Sequence, residues 1–443
     1  MKPTIKKLMI PLLVLAFTLE TAIAEETSRG KSPAFTSAAQ TVLSGAPVDL
    51  QMTNLEPHAR VNITAERVFY GKLYRSTATF KAAAGGSLNL ASAEPISAPW
   101  TGVDRRGLFW SMTRTDEEPP EGWDWQEVYL SADLDADGSA DASTMITLAL
   151  GSDDLEEIAL GSDFPGAFFL RPTGAQPLPA VVVLGGSEGG DSAARVIAPK
   201  LASREYCVVG RPYYSPGYYG RKRQFPTLPP AFHNIAIDQL ELLRDWLHQR
   251  DDVIADRIGV FGVSKGTELA LAGASLIDGF AAIVAYVPSD VIWEGWGPGT
   301  TEGQSSCFSW RGEPLPFVPC VGMREEIAKL IKGEPARIRT PQDAGRAAYP
   351  DRIPAARIRV EEIDEPIFIV GGDADDIWDS GGMARNILAK RDECGLTTVA
   401  IIDPEAGHGL SGDGYSPTDA AEARVQGHAF PAMLAFLKRR LKP

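Results

Sequence analysis

The stretch GVFGVSKGTELAL, Gly259 to Leu271, decides the fold of the second half of the chain. It places a Gly-x-Ser-x-Gly pentapeptide, Gly262 to Gly266, between the apolar run IGVF and a run of good helix formers. Glycines two residues either side of a serine let a strand turn sharply into a helix, because they have no Cβ atoms to clash. The pattern therefore predicts that Ser264 stands on such a turn and acts as a nucleophile. The alternative is an ordinary serine in a glycine-rich connection, since the chain has 43 glycines.

Apolar runs and helical stretches alternate on both sides of this motif. The apolar runs are AVVVL, YCVVG, IGVF, FAAIVAY, PIFIVGG and TTVAII. Continuous apolar strands joined by helices predict a parallel sheet that is covered on both faces. We therefore predict an α/β fold, with an α/β-hydrolase catalytic domain at residues 171–443. A segment rich in Trp, Pro and Gly interrupts the alternation at about residues 287–363 and predicts a lid.

A nucleophilic serine needs a histidine base. The chain has five histidines, and this fold places the nucleophile, the acid and the histidine in that order along the chain. That order excludes the three histidines that precede Ser264. His408, in IIDPEAGHGL, follows an apolar strand and has a glycine on each side, so it is the predicted base. The alternative is His428, which stands at the final predicted helix and is expected to cap or pack it.

The base in turn needs a carboxylate that fixes its tautomer and stabilises the imidazolium. In this fold the acid follows the strand before the histidine strand, and GGDADDIWDS occupies that place. It offers Asp373, Asp375 and Asp376, and the residues alone leave the choice among the three open.

An oxyanion hole requires two backbone N–H groups near the nucleophile. One is predicted to be that of Lys265, directly after Ser264. The second should come from the loop after the first sheet strand, where GGSEGG spans Gly185 to Gly190, and Ser187 or Glu188 is predicted to supply it. A phosphate-binding glycine loop is excluded, because neither a Lys-Ser/Thr pair nor a Gly-x-Gly-x-x-Gly pattern follows.

The first half of the chain has a different sequence pattern. From Val48 to about Leu170, short alternating runs are separated by turn residues, which predicts an all-β, immunoglobulin-like sandwich at residues 46–170. Residues 25–45 are small and polar and predict a disordered lead-in.

The chain opens with MKPTIKKLMIPLLVLAFTLETAIAEE, in which three lysines precede an apolar stretch and Ala22-Ile23-Ala24 follows. This predicts a signal peptide at residues 1–24, cleaved after Ala24, and hence an exported protein, periplasmic or secreted. The alternative is an uncleaved anchor, but twelve residues would span only about 18 Å of a ~30 Å hydrocarbon layer. We therefore expect no stable membrane insertion after cleavage.

The net charge of the chain limits the classes of partner that it can bind. With 43 Lys and Arg against 58 Asp and Glu, the formal charge is −15. Such a chain repels phosphate backbones, so nucleic acid is excluded as a partner. The sequence suggests no cofactor.

Two features remain open. Cys307 and Cys320 bracket the loop CFSWRGEPLPFVPC, and in an exported chain they form either a disulfide or two free thiols.

The stretch DLDADGSAD is similar to a calcium loop, although its twelfth position is Thr144 instead of Glu. Its carboxylates either bind calcium or form a plain acidic hairpin turn, and they belong to Asp133, Asp135, Asp137 and Asp141.

Several segments resemble one known family, the acyl-CoA thioesterases and bile acid-CoA:amino acid N-acyltransferases. GSLNLASAEPISAPWTGVDRRGLFWSM resembles its amino-terminal domain, and GVSKGTELAL, WRGEPLPFVP, GGDADDIW and PEAGHG match its hydrolase half in order. The family's catalytic aspartate stands three residues before a Trp, so Trp378 selects Asp375. The resemblance thus implies the catalytic residues Ser264, Asp375 and His408. Acyltransferase members of the family carry Cys as the nucleophile. With Ser264 at this position, the chain resembles the hydrolase branch.

These features predict an acyl-thioester hydrolase, similar to an acyl-CoA thioesterase, that works through an acyl-enzyme. Its partner would be a small-molecule acyl thioester or ester. One alternative is an exported carboxylesterase or dienelactone-type ester hydrolase. The other is a non-catalytic binding protein on the same fold.

Overall fold

The structure is a computed structural model that describes residues 31–174, 176–217 and 222–442. The predicted signal peptide and its cleavage site lie outside the described residues. Among the described residues, no helix combines the length and the apolar character needed to cross a bilayer.

The amino-terminal part consists mainly of strands in two sheets. A six-stranded sheet has the order β2-β9-β8-β4-β5-β7, and a three-stranded sheet has the order β1-β3-β6. In β4 every second residue faces the core, among them Val61 and Ile63, as the alternating sequence requires. The immunoglobulin-like topology stays a prediction. The elements are β1 Ala34–Ser37, β2 Thr41–Leu43, β3 Leu50–Thr53, β4 Arg60–Phe69, β5 Lys72–Lys81, β6 Leu88–Asn89, α1 Gly107–Trp110, β7 Thr113–Arg114, β8 Glu127–Asp133 and β9 Ala142–Ala149.

Two predicted boundaries differ from the structure. Residues 34–37 and 41–43 of the predicted disordered lead-in are strands, because their backbones pair with β3 and β9 and their apolar residues Phe35 and Val42 pack against the core of this part. The strands at 155–159 and 168–172, which the sequence assigned to the sandwich, belong to the second sheet. They pair antiparallel at its edge, and their sequence pattern does not reveal which sheet they join.

The second half confirms the α/β prediction. Its eight-stranded sheet has the order β10-β11-β13-β12-β15-β16-β19-β20, and neighbouring strands from β13 to β20 run parallel. The strands are β10 Leu155–Ala159, β11 Phe168–Pro172, β12 Leu178–Leu184, β13 Cys207–Gly210, β14 Ile235–Ala236, β15 Val253–Val263, β16 Ala282–Tyr286, β17 Phe308–Trp310, β18 Glu313–Pro314, β19 Ile367–Gly372 and β20 Thr398–Asp403. The helices are α2 Ser192–Ala202, α3 Asp238–His248, α4 Lys265–Ala274, α5 Met323–Lys332, α6 Arg339–Ala348, α7 Ile353–Ala356, α8 Ser380–Glu393 and α9 Ala420–Leu441.

Apolar side chains cover both faces of this sheet. One core contains Leu243 of α3 and Leu269 of α4, and the other contains Leu201 of α2 and Leu437 of α9. Burial on both faces explains why the central strands are apolar throughout instead of alternating.

The strand order reverses at β12, which lies between β13 and β15. In open α/β sheets a crevice forms at the carboxyl ends of the strands where the order reverses. Leu184 at the end of β12 pairs with Gly262 near the end of β15. The loop GGSEGG and Ser264 therefore emerge side by side.

The segment predicted as a lid, 287–363, contains β17, β18 and helices α5 to α7. The two strands form a small separate sheet with β14. A buried cluster with Trp293, Val318 and Met323 joins this segment to Trp378.

Candidate active site

Ser264 lies on a sharp turn between β15 and α4. Its φ is 53°, a left-handed conformation that costs a non-glycine residue about 1–3 kcal/mol and persists only where the surroundings impose it. A Cβ atom on Gly262 would lie 2.5 Å from the carbonyl oxygen of Gly266. A Cβ atom on Gly266 would lie 2.5 Å from the carbonyl oxygen of Gly185. Each glycine of the pentapeptide is therefore required by a close backbone approach.

His408 and Asp375 form a hydrogen-bonded pair. His408 Nδ1 lies 2.8 Å from Asp375 Oδ2. The other carboxylate oxygen accepts the backbone N–H groups of Ile377 at 2.9 Å and Trp378 at 3.2 Å. The Asp375 side chain is fully buried, whereas that of His408 is 23% exposed. The carboxylate is thus held from both sides while the ring reaches open space.

Of the two other candidate acids, one pairs with an arginine and the other, Asp376, is exposed. Asp373 binds Arg385 through both oxygens, at 2.6 and 2.7 Å. Asp376 receives the Arg339 N–H on its backbone carbonyl. Of the three aspartates that the strand-end loop offers, the structure brings Asp375 to His408.

The glycines beside His408 leave space for a side chain of α9. A Cβ on Gly407 would lie 2.8 Å from the carboxylate of Glu422, and one on Gly409 would collide with it. Glu422 accepts the Gly409 N–H at 2.8 Å and so holds the loop. The alternative base, His428, is exposed on α9 and does not line the cavity described next.

Ser264 and His408 line one cavity of about 800 Å³. Its apolar wall comes largely from the predicted lid and from the loop after β19. The apolar residues on this wall are Trp296, Met323, Ile327, Ile338, Ile377 and Trp378. This volume is within the range of sites that hold drug-sized ligands, about 300–1,000 Å³.

The predicted oxyanion donors also line this cavity. The backbone N–H groups of Lys265 and Ser187 donate no hydrogen bond to any residue that the structure describes. Glu188 differs, because its own carboxylate takes up its backbone N–H and also accepts the Gly186 N–H at 2.9 Å. Of the two residues that the sequence left open, Ser187 therefore has the available donor.

Burial by the cavity wall raises the pKa of the Glu188 carboxyl, although the N–H groups of Glu188 and Gly186 and the nearby His408 act in the opposite direction. The residue as a whole is nevertheless exposed and lines the open cavity, so solvent weakens this effect. A carboxyl of raised pKa therefore stands in the same cavity as Ser264.

Sequence reasoning missed a buried charge network beneath the turn. Lys265 Nζ lies 2.7 Å from Glu268 Oε2, and Glu268 Oε1 accepts the N–H of Trp293 at 2.9 Å. Burial opposes the charge on Lys265, but the neighbouring Glu268 carboxylate raises its pKa above the ordinary value. A lysine three residues before a glutamate, on a helix with few other charges, was the signal for this pair.

The two bracketing cysteines do not form a disulfide. Cys307 and Cys320 are both buried free thiols. Cys307 Sγ lies 3.1 Å from Lys265 Nζ and donates to the carbonyl oxygen of Glu294 at 3.1 Å. Burial raises the pKa of the Cys307 thiol to about 12, so the thiol stays protonated. The structure thus has the free-thiol alternative, with polar neighbours on the Cys307 sulfur.

The acidic stretch joins the antiparallel strands β8 and β9. Oxygen atoms of Asp133, Asp135 and Asp141 lie within 4.8 Å of one another. Asp137, which the sequence included, lies outside this group and accepts the Ser139 N–H at 2.7 Å. Backbone N–H groups already bind Asp133 and Asp141. Calcium binding here stays a prediction.

Three family models match the chain. They are described as "Acyl-CoA thioester hydrolase/BAAT N-terminal region" at residues 45–131, "BAAT / Acyl-CoA thioester hydrolase C terminal" at residues 241–432, and "Dienelactone hydrolase family" at residues 166–297. BAAT abbreviates the bile acid-CoA:amino acid N-acyltransferase.

Similar curated proteins are named acyl-coenzyme A thioesterases. Acyl-coenzyme A thioesterase 2, mitochondrial, of Rattus norvegicus is 26% identical over 375 residues, covering 82% of this chain and 75% of its own. Acyl-coenzyme A thioesterase 1 of the same species is 26% identical, covering 82% and 81%. Acyl-coenzyme A thioesterase 6 of Homo sapiens is 23% identical, covering 86% of each.

Solved structures resemble part of the chain. Brefeldin A esterase, described as a bacterial homologue of human hormone sensitive lipase, is 17% identical with a TM-score of 0.39, covering 67% of this chain and 80% of its own. A hyperthermophilic esterase from the archeon Pyrobaculum calidifontis is 18% identical with a TM-score of 0.39, covering 64% and 87%. Since two models of one family match its two halves, the chain belongs to the acyl-CoA thioester hydrolase/BAAT family.

Proposed function

We propose that this chain is a serine hydrolase of acyl thioesters in which Ser264 is the nucleophile, His408 the base and Asp375 the carboxylate that orients the base. The observation that carries the proposal is the His408–Asp375 hydrogen bond of 2.8 Å beside a cavity that Ser264 also lines. A serine on a left-handed turn, a buried carboxylate and a partly exposed imidazole are the parts that acyl transfer requires.

The reaction begins when His408 takes the Ser264 proton and Oγ attacks the acyl carbonyl carbon. With Nδ1 bound to Asp375, Nε2 is the nitrogen that faces the reaction. The carbonyl oxygen becomes an oxyanion, which the N–H groups of Lys265 and Ser187 stabilise. The C–S bond then breaks, and His408 returns the proton to the leaving thiolate. Water, activated by the same histidine, hydrolyses the acyl-enzyme and releases the acid.

The acyl group fits the apolar wall of the cavity. Met323, Ile327 and Ile338 come from α5 and from the turn before α6, and Trp378 lies behind His408 with its ring 6.1 Å from the imidazole. Each methylene that leaves water on such a surface contributes about 0.8 kcal/mol to binding. We therefore assign this wall to the acyl chain.

The names of the curated relatives support a thioester as the bond that is cleaved. The match of residues 166–297 to the dienelactone hydrolase family favours a second candidate, an oxygen ester. The predicted signal peptide favours the same candidate, since an exported enzyme meets little free acyl-CoA. The triad and the oxyanion hole act on the carbonyl, so they serve either bond.

The deciding experiment compares kcat/KM for three substrates with the same long acyl chain: the CoA thioester, the N-acetylcysteamine thioester and the 4-nitrophenyl ester. Both thioesters are expected to react faster than the ester, and Ser264→Ala serves as the blank. A preference for the oxygen ester of about a hundredfold or more would overturn the thioester proposal and establish the second candidate.

Export is tested separately, on the protein recovered outside the cytoplasm of a host that expresses the full chain. Its intact mass is expected to correspond to a chain that begins at Glu25. A product that retains Met1 would overturn this proposal.

A further inference from the structure

The amino-terminal part of the chain does not reach the cavity. Every residue that lines it belongs to positions 187–411. The strands β1 to β9 therefore contribute no lining residue among those described. Strand β4, helix α1 and the segment between β2 and β3 are instead in contact with the loop that carries His408.

This loop contacts both the cavity and the amino-terminal core. His408, Gly409 and Ser411 line the cavity. Shortly afterwards Asp413 and Tyr415 are buried, at 5% and 4% exposure, and Tyr415 belongs to the core of the amino-terminal part. The segment that presents the base thus continues directly into the interior of the other half of the molecule.

Asp413 connects three parts of the chain. Its carboxylate binds Lys200 Nζ of α2 at 2.7 Å, accepts a hydrogen bond from the Ser44 hydroxyl, and accepts the Tyr415 N–H at 3.1 Å. Burial opposes its ionisation, but Lys200 and Ser44 outweigh burial and lower the pKa of the carboxyl. Asp413 is therefore a buried anion whose partners include a residue of the amino-terminal part.

Tyr415 is held by the amino-terminal core. Its ring packs edge-on against Phe109 with 5.3 Å between centroids, and its hydroxyl accepts the Val48 N–H at 3.3 Å. The buried guanidinium of Arg67 donates to its backbone carbonyl at 3.0 Å. Three residues further, Thr418 donates its N–H to the carbonyl of Trp110 at 3.0 Å.

On the other side the loop is held by the hydrolase domain. Asp375 fixes the imidazole, and Gln426 of α9 donates to the Gly409 carbonyl at 2.5 Å and accepts the Gly414 N–H at 3.1 Å. A short segment fixed at both ends transmits a shift at one end to the other. A misplacement of about 1 Å at a catalytic group can cost on the order of 10²-fold in rate.

We propose that the amino-terminal part positions the catalytic base, and that Asp413 and Tyr415 are the positioning residues through which it does so. Both act through His408 and touch no substrate. The inference rests on the proposed function in so far as His408 is the base, but it does not depend on which ester is cleaved.

The test uses the full chain with three variants: Tyr415→Ala, Asp413→Asn and the control Ile146→Ala. Ile146 is fully buried in the same amino-terminal core, on β9, so its truncation weakens that part without touching the loop contacts described above. Three kinds of measurement are made below the melting temperature of each variant. They are kcat and KM on an acyl thioester, the rate of Ser264 labelling by a fluorophosphonate, and the low-field proton signal of the His408 Nδ1–H.

Tyr415→Ala and Asp413→Asn are expected to lower kcat and the labelling rate at least about tenfold, with KM within about twofold, and to shift or broaden the His408 signal. Ile146→Ala is expected to keep all three near the wild-type values. A folded Tyr415→Ala with wild-type labelling and an unchanged signal would overturn the inference, as would a control that loses as much as the two loop variants. If Tyr415→Ala does not fold, Asp413→Asn decides in the same way.

Labelling separates this inference from the substrate proposal. If the wild type is labelled but hydrolyses none of the thioesters, the thioester proposal fails and the labelling rates still decide the inference. If Ser264 of the folded wild type is not labelled at all, the nucleophile assignment and this inference both fail.

Discussion

His408 Nδ1 lies 2.8 Å from Asp375 Oδ2, although the two residues are 33 positions apart in the chain. The parallel pairing of β19 with β20 brings their loops to the same edge of the sheet. Two backbone N–H groups hold the other oxygen of the carboxylate, so its orientation does not depend on the histidine. The imidazole therefore meets a fixed acceptor.

Replacing Asp375 by Asn should lower kcat by about 10⁴-fold, because an amide no longer fixes the tautomer or stabilises the imidazolium. Asp373→Asn is the matched control in the same loop, since Asp373 pairs with Arg385 at the surface. We expect it to keep kcat within about twofold, as surface ion pairs contribute little. Equal losses at positions 373, 375 and 376, measured by steady-state kinetics, would show that Asp375 has no special role.

Ser264→Ala should abolish turnover, with a loss on the order of 10⁶ in kcat. The change removes one oxygen atom from the turn and leaves both flanking glycines in place, so the circular dichroism spectrum should be unchanged. Intact mass after incubation with a fluorophosphonate should show an adduct on the wild type and none on the variant. Residual activity above a few per cent in a preparation free of host esterases would refute the assignment.

Glu188→Gln should stabilise the protein slightly at neutral pH, and the effect is small because the residue is exposed to solvent. The folded state raises the pKa of Glu188 because of burial, so the folded state binds the proton more tightly than the unfolded state. Stability is therefore lost as the pH rises from the unfolded value of about 4.3 through the folded pKa. The amide keeps an acceptor for the Gly186 N–H but cannot ionise.

Thermal unfolding of wild type and Glu188→Gln should thus coincide below about pH 4 and diverge towards pH 7, with the variant melting higher. Glu313→Gln, an exposed change on β18, controls for loss of one negative charge. A variant that melts lower than wild type at pH 7 would contradict the role of burial at Glu188.

Glu268→Gln should destabilise the fold by about 3–5 kcal/mol, because it leaves the buried Lys265 ammonium without its anion. The glutamine retains an oxygen for the Trp293 N–H. The double variant Lys265→Met with Glu268→Gln should recover most of the loss, since no buried charge then remains. Urea unfolding of both singles and the double measures the coupling. Additive losses would mean that the pair is not coupled.

The native protein should expose one reactive thiol. Cys394 is exposed, whereas Cys207, Cys307 and Cys320 are buried. Alkylation with iodoacetamide followed by mass spectrometry should modify Cys394 alone in the native state and all four cysteines after unfolding without a reductant. If Cys307 and Cys320 require reduction even after unfolding, they form a disulfide in the protein as produced.

The sequence alone was sufficient for features that depend on neighbours along the chain. The turn at Ser264 follows from glycines two residues away on each side, and the parallel sheet follows from apolar runs that alternate with helices. The order of nucleophile, acid and histidine narrowed the base to His408 or His428. Spacing left three aspartates open, and the family resemblance through Trp378 selected Asp375.

Only the tertiary structure decided features that join distant parts of the chain. It moved the strands at 155–159 and 168–172 from the predicted sandwich to the edge of the second sheet, because pairing partners and not side-chain pattern determine where such strands belong. It also replaced the possible disulfide by contacts of Cys307 with Lys265 and Glu294. The contacts of Asp413 with Ser44 and of Tyr415 with Val48 span 369 and 367 positions. Local sequence carries no signal for such contacts, since they form only when both halves have folded and packed against each other.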